Sequence, residues 1–138
     1  MSEADAAPRI VVIDDNDLMR ETLLHMLAQL DCRAVAADGG DAGIREVARD
    51  GADIVITDIL MPDKDGLETI RELRRVFPGV RIVAMSGGGR MATTNYLDHA
   101  RLFGAEAMLA KPFALEDLLA AFGQCGFAIG RKRRSGAS

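Results

Sequence analysis

Apolar positions along this chain repeat with two alternating periods. The runs Ile10-Val11-Val12-Ile13 and Ile54-Val55-Ile56 have no polar alternation, so they read as strands buried on both faces, as in a parallel sheet covered by helices. Between them the spacing changes to that of a helix. Asn16 or Asp17 is placed to cap a segment with Met19, Leu23, Met26, Leu27 and Leu30 on one face, and a shorter helix through Ile44, Val47 and Ala48 stops at Asp50-Gly51. Residues 33–37 form a weaker strand, expected near an edge and followed by an Asp38-Gly39-Gly40 turn. After the strand that ends on Asp58, Pro62 forbids further pairing and Asp65-Gly66 supplies turn chemistry. A helix with Leu67, Ile70, Leu73 and Phe77 follows, ended by Pro78-Gly79. Residues 81–85 are a fourth strand closing on Ser86, and residues 91–103 have a helical pattern. Residues 107–110 are a fifth strand ending on Lys111-Pro112-Phe113, before a last helix with the stripe Leu115, Leu118, Leu119 and Phe122. Five strands alternating with five helices predict an α/β fold: a doubly wound five-stranded parallel sheet with right-handed crossovers and helices on both faces.

Strands of such a sheet all point one way, and ligands bind beyond their carboxyl ends. The residues just past those ends are Asp14 and Asp15, Asp58, Ser86 and Lys111. Each alone has a bland reading, because acids and lysines often end strands simply by being soluble. Together they define a chemistry. Three crowded carboxylates repel one another and call for a hard divalent cation, which oxygen ligands and retained waters identify as Mg²⁺. With that cation and the Lys111 ammonium the site has no net formal charge and is poised for a phosphoryl group. Asp58 is the expected nucleophile, Asp15 the direct metal ligand beside it, Asp14 a ligand through water and the Leu60 carbonyl a further metal ligand. Ser86 and Lys111 are expected to receive the phosphoryl oxygens. No Cys/His zinc spacing, Ser-His-Asp triad or Gly-rich phosphate loop stands against this reading, and His25 and His99 fall within helical patterns.

Composition adds limits. The 138 residues, 49% hydrophobic and 28% charged, fit one soluble domain with one core. No apolar run is long enough to cross a bilayer and residues 1–8 lack a signal-peptide pattern, so a cytoplasmic location is the expectation. Cys32 and Cys125 lie in apolar segments and are expected to be buried, unpaired core residues. Net charge is −4, and the run Arg131-Lys132-Arg133-Arg134 carries +4, which leaves −8 for the rest. That body is a poor nucleic-acid surface. The expected division is an extension over residues 1–8, a domain over 9–125 and a solvated basic tail over 126–138.

The ordered set Asp14-Asp15, Asp58 with Met61-Pro62 and Asp65-Gly66, Ser86, and Lys111-Pro112-Phe113 resembles the response-regulator receiver domain of two-component signalling. The resemblance implies the flavodoxin-like strand order 2-1-3-4-5, a cis Lys111-Pro112 bond, and phosphorylation of Asp58 by a histidine kinase or histidine phosphotransfer protein. It implies a phosphoacceptor that catalyses only its own phosphotransfer and dephosphorylation, and that signals by contact with a further protein. Where the family usually has a switch Tyr or Phe, three residues before the lysine, this chain has Met108, so the usual hydroxyl-aromatic relay does not carry over. Movement is expected instead in the Gly87-Gly88-Gly89 loop and the segment after it. With Leu60 and Gly88 at the positions that influence hydrolysis in the family, slow self-dephosphorylation is expected. A stand-alone receiver and the receiver part of a longer regulator both fit. A haloacid-dehalogenase-type phosphatase would need an Asp where Leu60 stands, and a flavin carrier would need aromatic residues that a chain with one Tyr and no Trp lacks. A partner-binding pseudo-receiver is disfavoured by the complete acidic and lysine set.

Overall fold

The computed structural model describes residues 7–59, 66–87 and 104–132. The β-branched runs form strands where the pattern places them: β1 (Arg9–Ile13), β2 (Arg33–Ala37), β3 (Ile54–Asp58), β4 (Arg81–Ser86) and β5 (Ala107–Ala110). All neighbours pair in parallel in the order β2-β1-β3-β4-β5, with the weak strand β2 at an edge. Register sets Ile13 beside both Ala37 and Thr57, and Asp58 beside Met85. The described helices are α1 (Asp17–Leu27), α2 (Gly40–Asp50), α3 (Gly66–Val76) and α4 (Leu115–Gln124). The helix expected over 91–103 lies outside the described residues.

Because strand side chains alternate, the sheet has a core on each face. Ile10, Val12, Ile56, Val83, Met85 and Leu109 pack with Leu23 and Leu27 of α1 and Leu118 and Phe122 of α4. Val11, Ile13, Val55, Ile82 and Ala84 pack with Val47 of α2 and Ile70 and Leu73 of α3. Helix starts and stops follow local chemistry. The Asn16 side chain accepts from the Met19 amide at the start of α1, and Gly51, at φ 76°, ends α2 in the left-handed region that favours glycine. Both cysteines are free and buried, and His25 is exposed. Burial pushes the Cys32 thiol up, and Cys125 is pushed up to about 11, first by burial and then by Glu106. His99 lies outside the described residues.

The C-terminal segment departs from expectation. Packing does not stop at residue 125: Phe127 and Ile129 are half-buried against the core beside α1 and α4. The backbone then pairs with the turn after α1, the Asp31 amide donating to the Gly130 carbonyl (2.9 Å) and the Lys132 amide to the Gln29 carbonyl (2.8 Å). Arg131 forms an antiparallel bridge with Leu30 and an exposed ion pair with Glu116. Residues 126–132 are therefore a docked strap in which Phe127 and Ile129 turn to the core while Ala128, Arg131 and Lys132 face water. Two apolar residues separated by one position are too short a pattern to reveal such a strap.

Candidate phosphoacceptor site

The carboxyl edge of the sheet assembles the predicted residues from four strands. β1 runs into Asp14, whose amide extends the ladder to the Ala37 carbonyl (3.2 Å). β3 ends on Asp58, and the next amide, that of Ile59, donates to the Met85 carbonyl of β4 (3.0 Å). β4 ends on Ser86, whose carbonyl accepts from the Lys111 amide (2.8 Å) and so fixes where the lysine leaves β5. The Lys111-Pro112 bond is cis.

Asp14 and Ser86 are 0% exposed and Asp58 is 7% exposed, whereas Asp15 is open to water. Carboxylate oxygens of Asp14, Asp15 and Asp58 all lie within 4.8 Å of one another. Buried carboxylates need compensation, and Asp14 obtains it from two directions. Its Oδ1 accepts from the Asn16 amide (2.9 Å) and its Oδ2 from Lys111 Nζ (2.9 Å). The same ammonium stands 3.5 Å from Asp58 Oδ2. On the outer side, Arg20 donates through Nη1 to the Asp14 main-chain oxygen (2.8 Å) and through Nη2 to the Asp17 carboxylate.

Two details bear on what the edge can do. Among the described residues the fully buried Ser86 hydroxyl has no hydrogen-bond partner, a state that costs about 1–3 kcal/mol and is uncommon unless a ligand supplies the partner. The oxygen-only donor set of three carboxylates suits a hard cation such as Mg²⁺, so the residues present fit the metal that the receiver fold implies. No other group of three such ligands occurs among the described residues. The Leu60 carbonyl, expected as a further ligand, lies outside them.

From the sequence Gly66 is expected only as a turn residue, and Arg20 has no expected place in the site. Gly66 packs against the end of β3 so closely that a methyl there would collide with the Asp58 carbonyl and the Ile59 Cα, which makes glycine obligatory. A Gly closing an Asp-Gly turn was the available signal. An arginine in the first turns of an amphipathic helix gives none. Met108 is half-buried against the α2 and α3 face of the sheet.

Comparison with known proteins agrees with this geometry. The family described as the response regulator receiver domain matches residues 10–123. Over 113 residues the chain is 35% identical to the response regulator MprA of Mycobacterium leprae (strain TN), covering 81% of this chain and 48% of that protein. Over 114 residues it is 33% identical to the DNA-binding transcriptional regulator NtrC of Azospirillum brasilense, covering 83% of this chain and 23% of that protein. The chain thus spans less than half the length of these two curated relatives. Among solved structures, a response regulator receiver domain protein from Clostridium thermocellum superposes with TM-score 0.75 at 25% identity, covering 86% of this chain and 93% of the other. A response regulator receiver protein from Pseudomonas putida does so with TM-score 0.74 at 27% identity, covering 86% and 97%. With strand order, acidic edge and cis lysine-proline bond all in place, the chain belongs to the response regulator receiver domain family.

Proposed function

We propose that Asp58 accepts a phosphoryl group from a histidine kinase or histidine phosphotransfer protein. The observation that carries this reading is the Ser86 hydroxyl, buried and, among the described residues, without a partner, beside an acidic cluster that already has its lysine. An oxygen of a phosphoryl group on Asp58 supplies the missing acceptor, so the cost of the unpaired hydroxyl is recovered only in the phosphorylated state. The transfer breaks the phosphorus–nitrogen bond of a donor phosphohistidine and forms a phosphorus–oxygen bond to the Asp58 carboxylate. The bond pair returns to the imidazole, which takes a proton from solvent.

Asp58 is ready for attack at the end of a strand buried along its whole length, and Lys111 is placed to hold a phosphoryl oxygen as a point charge. Asp14, Asp15 and Asp58 would hold Mg²⁺, with the Leu60 carbonyl as a further ligand. When bound, the cation neutralises charge on the phosphoryl oxygens during transfer. The product is a signalling state read by another protein, and the chain turns over no external substrate beyond its own phosphorylation and hydrolysis. A second reading, that this receiver is joined to an output domain, is favoured by the greater length of the relatives. The mass of the intact protein separates the two readings. The family reading supports encounters in the cytoplasm; among the described residues no helix is long and apolar enough to cross a membrane.

The test is labelling by acetyl phosphate and Mg²⁺, followed by intact mass. Wild type is expected to gain one phosphoryl group and Asp58→Asn none. Equal labelling of the variant would remove Asp58 as acceptor.

A further inference from the structure

Arg20 sits where an amphipathic helix ordinarily carries a solvated cation, yet its side chain is only 20% exposed. The guanidinium turns back over the β1–α1 turn and joins the Asp14 carbonyl to the Asp17 carboxylate. Asp14 is wholly buried, so its carbonyl has no ready substitute in bulk water. Arg20, the Asn16 amide and Lys111 together hold all three oxygens of Asp14: main-chain O, Oδ1 and Oδ2. A planar fork can make two such bonds at a fixed angle, which a lysine cannot.

From these contacts we infer that Arg20 is a positioning residue for the divalent-cation site. It pins the turn that carries Asp14 and Asp15, so both carboxylates stand near Asp58 before a cation arrives. This deepens the phosphoacceptor reading and rests on it. Arg20 touches neither the Asp58 nor the Lys111 side chain among the contacts described, so its effect is on geometry at one remove from the chemistry. Contacts of this kind around a metal site commonly set affinity by about 10- to 100-fold.

The full chain and its Arg20→Gln and Arg20→Lys variants would be titrated with MgCl₂ by calorimetry, well below their melting temperatures. Exchange of the Asn16 amide would be followed without metal. Arg20→Gln is expected to weaken Mg²⁺ binding about tenfold and to speed Asn16 exchange, with the amides of Ile54 to Thr57 unchanged. Arg20→Lys keeps the charge and loses the fork, and is expected to weaken binding about threefold. Affinity within a factor of two of wild type in Arg20→Gln, or full affinity in Arg20→Lys, would overturn the inference. Should Arg20→Gln fail to fold, Arg20→Lys alone decides. Wild type that binds no Mg²⁺ would instead count against the phosphoacceptor reading itself, so the two failures are distinct.

Discussion

The two ends of the sheet use the same residue types differently. At the amino ends of the strands, Arg9 pairs with Glu46 (3.0 Å), and its amide donates to Asp53 Oδ2 (2.8 Å). Arg74 meets both oxygens of Glu106 at 2.8 Å and also donates to the Gly104 carbonyl (2.7 Å), and Glu106 Oε1 accepts from the Ile82 amide (2.7 Å). Glu46, Asp53 and Glu106 are each met there by a guanidinium or an amide. At the carboxyl ends three carboxylates cluster, Lys111 pairs with two of them, Asp14 and Asp58, and among the described residues the buried Ser86 hydroxyl finds no partner. One edge is closed on itself, and the other is the one that, in the proposed reading, a cation and a phosphoryl group complete. Electrostatic imbalance on a compact fold thus marks function more clearly than the mere presence of charge.

The largest effect that would sharpen this contrast is expected from Lys111→Met. Removing one member of a buried pair strands the other, and Asp14 is fully buried. Metal-free stability should fall by about 3 kcal/mol, the low end for such pairs because the lysine is partly exposed, and Mg²⁺ should restore part of it. Urea unfolding in EDTA and in Mg²⁺ measures both. Unchanged stability would mean that the functional edge is as self-sufficient as the other.

Arg74→Met addresses the opposite edge. Loss of its charge-assisted bonds to Glu106 and Gly104 should cost about 2 kcal/mol while leaving Mg²⁺ affinity and labelling of Asp58 unaltered. A fall in metal affinity would show the two edges to be coupled. The smallest effect concerns pH at this edge. The Cys125 thiol, near Glu106, is raised from 9.0 to about 11. Because the raised value favours the neutral thiol in the folded chain, its contribution is intact below pH 9 and is lost as pH climbs through 11. Melting curves should show an alkaline loss of about 1–2 kcal/mol in wild type that is reduced in Cys125→Ala.

How much of this was legible beforehand follows from what each feature depends on. Uninterrupted β-branched runs define β1 and β3 because burial on both faces leaves no room for polar positions, and their ends give Asp14 and Asp58 directly. Ser86 and Lys111 follow once the strands are known to be parallel. Three-dimensional pairing decides the rest. That Ser86 lacks a partner among the described residues, that Arg20 folds inward and that Gly66 touches the end of β3 are facts about distances between segments, for which neither periodicity nor composition has a signature. The strap was hidden for a related reason: its anchor, Phe127, looks like any aromatic residue after a helix.

That strap has a consequence in time as well as in space. Protein chains leave the ribosome amino end first, and α1 with the turn at Gln29 to Asp31 is among the earliest parts of this fold to appear. Its final covering, residues 127–132, emerges about a hundred residues later. Until then the apolar surface around Leu30 and Cys32 must wait uncovered, although β1 and β3 can already pair. A late stretch of this fold therefore seals one of the first, and a nascent chain halted at the end of α4 would hold a nearly complete carboxyl edge over an open base.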